Sequence, residues 1–402
     1  MKKNQSKEIP QKQETPPAKA ASFGAVLFLL LLLGLGLWTV LSKERDFSSV
    51  ERRPLAKRPV FSLSKVGEGT YQADYEAYLS DQFPLRSQAL ALKAEFQKAI
   101  GKFDNSRVYL AKDDSLIEKR TQLDWQKLDR NLLDMDAFSE QFLKQKPEAR
   151  ITYLIAPTQS GVYPKRLPYG AVEADQAEGL ADLRSKHQRD DLLYPDLLGG
   201  LRGSNQQDLY FKTDHHWTQK GALEAYKIYK TALGETESLT RDLEIFGQAQ
   251  VLSQDFHGTT YQKAPARTIP GDKLEAFIWP DLDQVQVYDG QGNQLDQGLY
   301  KKEALTSTDA YEYFLGPNRD LLQIKTAHEN ADRGTLLLVK DSYANAFVPF
   351  LTMDYRQIIV LDLRYVKDAL ADILDRYEPD DLMFLYNIGT FSEENATYKL
   401  LD

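Results

Sequence analysis

The chain has 402 residues, 42% of them hydrophobic and 27% charged, an ordinary globular composition with enough length to bury a large core. A net charge of −9 argues against general nucleic-acid binding, so no nucleic-acid partner is expected. The absence of cysteine excludes disulfides, zinc–thiolate sites and cysteine nucleophiles.

In chain order, residues 1–22 are rich in Lys, Gln, Glu and Pro and read as a disordered cytoplasmic tail. Residues 23–41, "FGAVLFLLLLLGLGLWTVL", carry no charge and are long enough, at about 1.5 Å per residue, to cross roughly 30 Å of hydrocarbon. Trp38 suits the interface, and Lys2, Lys3, Lys7, Lys12 and Lys19 favour a cytoplasmic N-terminus. "TVLSKERDF" offers no A-x-A-like cleavage site, so the favoured reading is an uncleaved single-pass signal anchor with the bulk of the chain outside the cytoplasm, and a cleaved signal peptide is the competing one.

Residues 42–105 read as a charged, Pro-punctuated stalk followed by helices on either side of Pro84, with Tyr75, Leu79 and Phe83 on one stripe. From 106 to 402 the pattern is α/β. Continuous apolar runs at 149–157, 334–340, 356–363 and 380–388 have the texture of buried parallel strands. "TQKGALEAYKIYKTAL" predicts a helix capped by Thr218, and "VKDALADILDRY" another. Residues 235–333 interrupt this pattern with a hairpin signal around Asp-Gly and Gly-Asn, and read as a partly β insertion overhanging the sheet. The expected architecture is a three-layer sandwich on a parallel sheet, which gathers ligands at the carboxyl ends of its strands.

Two features converge on that edge. "LLLVKDSYANAF" sets Ser342 in a strand-to-helix turn, where its hydroxyl projects and backbone amides can hold an oxyanion; a plain helix cap by Asp341 or Ser342 is the competing reading. "TDHHWTQKGA" carries two of the chain's five histidines side by side. A serine nucleophile needs a base and a group to fix its tautomer, and Asp214 and His216, at i and i+2 of an extended segment, supply both. His215 is expected to point away. That divergence, and the lack of any HExxH spacing, speaks against a metal held by Asp214, His215, His216, Asp255 and His257. Oxyanion candidates are the amides of Ser342 and Tyr343 and the side chains of Asn345 and Asn387. Substrate-binding candidates are Trp217, Arg364, Tyr365 and Tyr163, each with an ordinary structural alternative. Lys340 reads as solvated, Asp341 as a cap, and His187 and His328 as surface residues.

The blocks "FSSVERRPLAKRP", "YLSDQFPLR", "YFKTDHHWTQKGA", "DFHGTTY", "YFLGPNRDLLQI", "VKDSYANAFVPFL" and "VLDLRY" resemble the DHHW protein family over nearly everything after residue 47. More remotely the chain is similar to the alginate O-acetylation proteins of the SGNH-hydrolase-like group. On that resemblance Asp214, His216 and Trp217 match an Asp-x-His-Trp motif and Ser342 matches the nucleophile. The resemblance implies an extracytoplasmic serine O-acyltransferase or esterase that needs no cofactor, acts on a polysaccharide, and is paired with a membrane-bound O-acyltransferase. No glycan-binding domain is expected after Asp402, so glycan contacts are expected from the core or from the 235–333 insertion. A non-catalytic glycan-binding or assembly protein is the rival reading.

Overall fold

A computed structural model describes residues 18–48, 53–105, 107–264, 269–296, 298–326 and 333–401; His328 lies outside them. The chain divides into two compact units, Met1–Leu90 and Ala91–Asp402.

In the first unit a helix spans Ala18–Leu41. Its stretch Phe23–Leu41, with mean hydropathy 2.5, is the one helix among the described residues long and apolar enough to cross a membrane. The chain beyond it does not run free. Arg45 N donates to Gln82 Oε1 while Gln82 Nε2 returns a bond to Arg45 O, both at 2.9 Å, and Ala56 N donates to Asp81 Oδ2 at 2.9 Å. These bonds fasten the charged stretch to the helix Thr70–Gln82, which ends where Pro84 forbids further α backbone.

The second unit is built on seven strands: β1 (Ile151–Ala156), β2 (Leu192–Leu193), β3 (Gln286–Asp289), β4 (Leu321–Lys325), β5 (Arg333–Lys340), β6 (Tyr355–Leu361) and β7 (Asp381–Asn387). Their order is β2-β1-β7-β5-β6-β4-β3. The first five in that order are parallel, in registers such as Leu338↔Met383 and Phe384↔Tyr153. β4 and β3 then close that side antiparallel, with Leu322↔Val360 and Ile324↔Val287. The sheet is therefore mixed rather than parallel throughout. Both antiparallel strands come from 235–333, so this segment extends the sheet. Its turn signal holds in part: Tyr288 bridges Gln294 across the Asp289–Asn293 turn, but the second arm forms no strand.

Successive strand residues point to opposite faces, and every residue of β1 and β7 is buried, so helices must cover both faces. The helix Trp125–Gln145 offers a stripe of Leu128, Leu132, Met135, Phe138 and Phe142, with Phe138 edge-on to Phe384 of β7 at 6.4 Å. The helix Gln219–Ala232 packs Tyr226 against Phe347 and Phe350. Its cap is Thr218, whose Oγ1 accepts from Gly221 N at 3.2 Å. This α/β domain places the ends of β1, β7 and β5 side by side on one edge.

Two polar side chains depart from the sequence reading. His187 is buried rather than superficial, with Nδ1 2.6 Å from Asp136 Oδ2 and Nε2 3.2 Å from Asp129 Oδ1. Burial alone would lower its pKa, but the two carboxylates outweigh it and the pKa is raised. Lys340 is buried too, its ammonium donating to Asn318 Oδ1 and Asn345 Oδ1 at 2.9 Å each. Desolvation pushes its pKa down to about 8.

Candidate active site

The histidine segment is bent, not extended. Asp272 accepts from Lys212 N (2.8 Å), Thr213 N (2.8 Å) and Thr213 Oγ1 (2.6 Å), gathering the chain into successive bends over residues 212–216. Asp214, fully buried, is then clamped from a second loop: Thr259 N and Oγ1 donate to its Oδ2 at 2.6 and 2.9 Å. Its Oδ1 faces His216, accepting from the backbone N at 2.9 Å and lying 2.6 Å from Nδ1. Burial works to raise the Asp214 pKa, but the two neighbouring imidazoles and the bonds from His216 hold it well below the carboxylate range.

His216 presents Nε2 to Ser342 Oγ at 2.8 Å. The three candidates thus form one chain of contacts, Asp214–His216–Ser342, across 126 residues of sequence. The imidazole is buried and lies flat under Tyr311, rings 3.8 Å apart and within 6° of parallel. Burial, seconded by His215, depresses its pKa to about 4, and Asp214 only partly offsets this. A neutral ring donating Nδ1–H to an ionised carboxylate leaves the Nε2 lone pair on the serine hydroxyl, as general-base chemistry requires.

Ser342 opens a short 3-10 helix, Ser342–Ala346, and is only partly buried. Asp341 caps this turn: Oδ1 accepts from Tyr343 N and Oδ2 from Asn387 N, both at 2.9 Å. One carboxylate thereby pins the serine turn to the end of β7. Burial lifts its pKa to about 6.

The bonds also revise several candidate roles. The Tyr343 amide is spent on Asp341, so of the two amides considered only that of Ser342 is free to meet an oxyanion. Asn345 gives its oxygen to Lys340. Asn387 stands at the end of β7 as expected, but its amide donates to Ala156 O and Pro157 O at 3.3 and 3.2 Å, and its oxygen accepts from Gly389 N. Trp217 is wholly buried and cannot stack on a sugar; its Nε1 donates to Tyr343 O at 2.9 Å, tying the histidine segment to the serine turn. Arg364 pairs bidentately with buried Asp362 at 2.8 and 2.6 Å, and Tyr365 is an exposed ring beside that guanidinium. The Tyr163 hydroxyl accepts from Leu209 N at 3.1 Å, with Arg166 over its ring. None of these three lines the cleft beside the triad.

His215 does not point away. Because the segment bends, its ring lies 3.8 Å from that of His216, and its Nδ1 is 2.7 Å from Thr259 Oγ1. The divergence invoked against metal binding is absent, since ligand atoms of Asp214, His215 and His216 lie within 4.8 Å of one another. These atoms are engaged in the hydrogen bonds above, which an ion would have to displace. Asp255 and His257 stand apart as a pair 3.5 Å from each other.

Sequence reasoning did not single out Thr259, Tyr311, Glu118, Arg120 or Gln159. Thr259 was legible only as part of the "DFHGTTY" block, and Tyr311 carried no local signal. Glu118, Arg120, His215 and Gln159 line a small cleft of about 20 Å³ beside Tyr343 and Asn387. Glu118 is held ionised there despite burial by His215, Lys263 and Arg120.

An acid, an imidazole and a serine thus meet at the carboxyl edge of the sheet, the arrangement that serine-based acyl chemistry requires. Comparisons agree. Residues 128–298 match the family described as SGNH hydrolase-like domain, acetyltransferase AlgX, a stretch that holds Asp214 and His216 and ends before Ser342. The chain is 22% identical over 263 residues to a probable alginate O-acetylase AlgJ of Pseudomonas syringae pv. tomato, covering 65% of this chain and 63% of that protein. It thus spans under two thirds of that relative's length. Among solved structures it is similar to a DHHW family protein from Eubacterium siraeum (20% identity, TM-score 0.59, 72% of this chain and 92% of that one). It is similar also to Bacillus cereus PatB1 carrying a sulfonyl adduct (22%, 0.59, 73% and 98%). Residues 128–298 are thus similar to the SGNH-hydrolase-like family, the chain shares its fold with the DHHW family protein, and in sequence it is similar to a probable alginate O-acetylase.

Proposed function

We propose that this protein is a membrane-anchored, extracytoplasmic serine O-acyltransferase or esterase that acts on a polysaccharide. The observation that carries the reading is the continuous Asp214–His216–Ser342 relay, with contacts of 2.6 and 2.8 Å. Ser342 Oγ attacks the carbonyl carbon of an acyl donor while His216 Nε2 takes its proton. The tetrahedral oxyanion leans on the Ser342 amide. Collapse breaks the donor's C–O bond, and His216 returns the proton to the departing oxygen. A sugar hydroxyl or water, deprotonated in turn by His216, then attacks the acyl-enzyme and frees Ser342. No step calls for a cofactor.

The apolar helix Phe23–Leu41, next to a lysine-rich tail, supports anchoring with the catalytic unit outside. A relative named as a probable alginate O-acetylase supports acetyl as the acyl group and a polysaccharide as the acceptor; the partner in this proposal is a membrane-bound O-acyltransferase that exports the acyl groups.

Incubation with a chromogenic acetyl ester, with and without oligosaccharide acceptors, tests this, mass spectrometry following the acyl group. Wild-type protein turns over, and Ser342→Ala loses several orders of magnitude while melting normally. Equal activity in the two proteins would remove the serine mechanism. Glycan binding with no Ser342-dependent turnover would favour the assembly role instead.

A further inference from the structure

The amide of Asn387 stands where the sheet order would put an oxyanion donor, yet it is spent on the carbonyls of residues 156 and 157. On the strand next to β7, the chain leaving β1 brings up another amide. Gln159 is only 4% exposed, and its Nε2 has no hydrogen-bond partner among the described residues. A buried, unpaired amide costs about 1–3 kcal/mol, so folded proteins rarely keep one without a use.

Its surroundings suggest the use. Gln159 lines the cleft of about 20 Å³ together with His215, Tyr343 and Asn387. That is room for about one oxygen-sized group. The loop carrying Gln159 is held firmly: Thr158 N donates to Gln176 Oε1 at 3.0 Å, and Gln176 Nε2 to Thr158 Oγ1 at 2.6 Å. β1 and β5 are separated only by β7, so by strand spacing their ends lie roughly 10 Å apart. A glutamine side chain from one and an acyl group on Ser342 from the other can meet across that gap.

We infer that Gln159 Nε2 is the side-chain donor of the oxyanion hole, working with the Ser342 amide. This rests on the serine mechanism proposed above. The unpaired N–H is satisfied only when a carbonyl oxygen becomes an oxyanion on attack by Ser342. The cost carried by the resting protein is thus relieved in the transition state, where it accelerates the reaction.

Two variants test it. Gln159→Met keeps the length and removes the donor; Gln159→Glu keeps shape and polarity but sets a carboxylate against the developing charge. With the chromogenic acetyl ester, each lowers kcat by about 10²–10³-fold and leaves KM within about threefold, as loss of one oxyanion donor does. Gln159→Met melts no lower than wild type, because it discards an unpaired buried group; a structural amide would lower the melting temperature. Ser342-dependent turnover that survives in either folded variant within about threefold overturns the inference and leaves the serine mechanism standing. Wild-type protein without Ser342-dependent turnover overturns both.

Discussion

His216 and Asp341 sit on either side of Ser342, and burial moves their pKa values in opposite directions, one down to about 4 and the other up to about 6. A base with a depressed pKa keeps its lone pair in mild acid, so protonation of His216 stops turnover only near pH 4. Asp341 takes up a proton earlier, weakening its grip on the Tyr343 and Asn387 amides. The rate should therefore fall in two steps on acidification, a partial loss near pH 6 and full loss near pH 4. In Asp341→Asn, at whatever lower rate it works, only the lower step should persist in kcat/KM against pH. The pairing of Asp214 with His216, and their approach to Ser342, could be anticipated because the motif supplies chemically matched groups at a sheet edge. Roles for Trp217, Asn345, Asn387, Arg364 and Tyr163 could not, because each depends on which distant carbonyl or carboxylate folding happens to bring alongside. Proximity to a motif carries no information about that. His215 misled for a related reason: alternation holds for extended backbone, and Asp272, some sixty positions away, bends this segment.

At the scale of elements, the loop through Gly258 and Thr259 matters as much as the strands. A Cβ at Gly258 would sit 2.2 Å from Asp214 Cβ and 2.3 Å from its Oδ2, closer than any real contact. Gly258→Ala should push Asp214 out of line and lower kcat about 10²-fold, the cost typical of an ångström-scale misplacement. The Thr259 clamp would loosen with it, and ester turnover beside a thermal melt separates that effect from unfolding. Between the helices Trp125–Gln145 and Gln176–His187, the His187 imidazole binds its proton more tightly folded than unfolded. Its stabilisation is complete below an unfolded pKa of about 6.5 and is lost as pH rises through the raised folded value. Urea midpoints should decline over that rise in wild type and flatten in His187→Gln. The strands β1, β5, β6 and β7 were legible as unbroken apolar runs. β3 showed only as one arm of the hairpin signal, and β2 and β4 not at all, because β2 is two residues long and β4 interrupts a short apolar run with Gln323 and Lys325.

For the whole molecule, the proposed anchor is the helix Phe23–Leu41, long and apolar enough to cross a membrane. Removing residues 1–41 should shift the protein from the membrane to the soluble fraction on ultracentrifugation while ester turnover stays within about threefold. Loss of turnover on truncation would mean that the first unit takes part in the chemistry. The sheet order has a temporal consequence too. β7 lies between β1 and β5 although it is made after both, and it carries the Asn387 amide that fastens the serine turn through Asp341. A growing polypeptide that has emitted Ser342 but not Asp381–Asn387 has no slot in which to seat the hydroxyl against its base. Chemical competence is thus withheld from unfinished chains during synthesis, a safeguard written into connectivity alone.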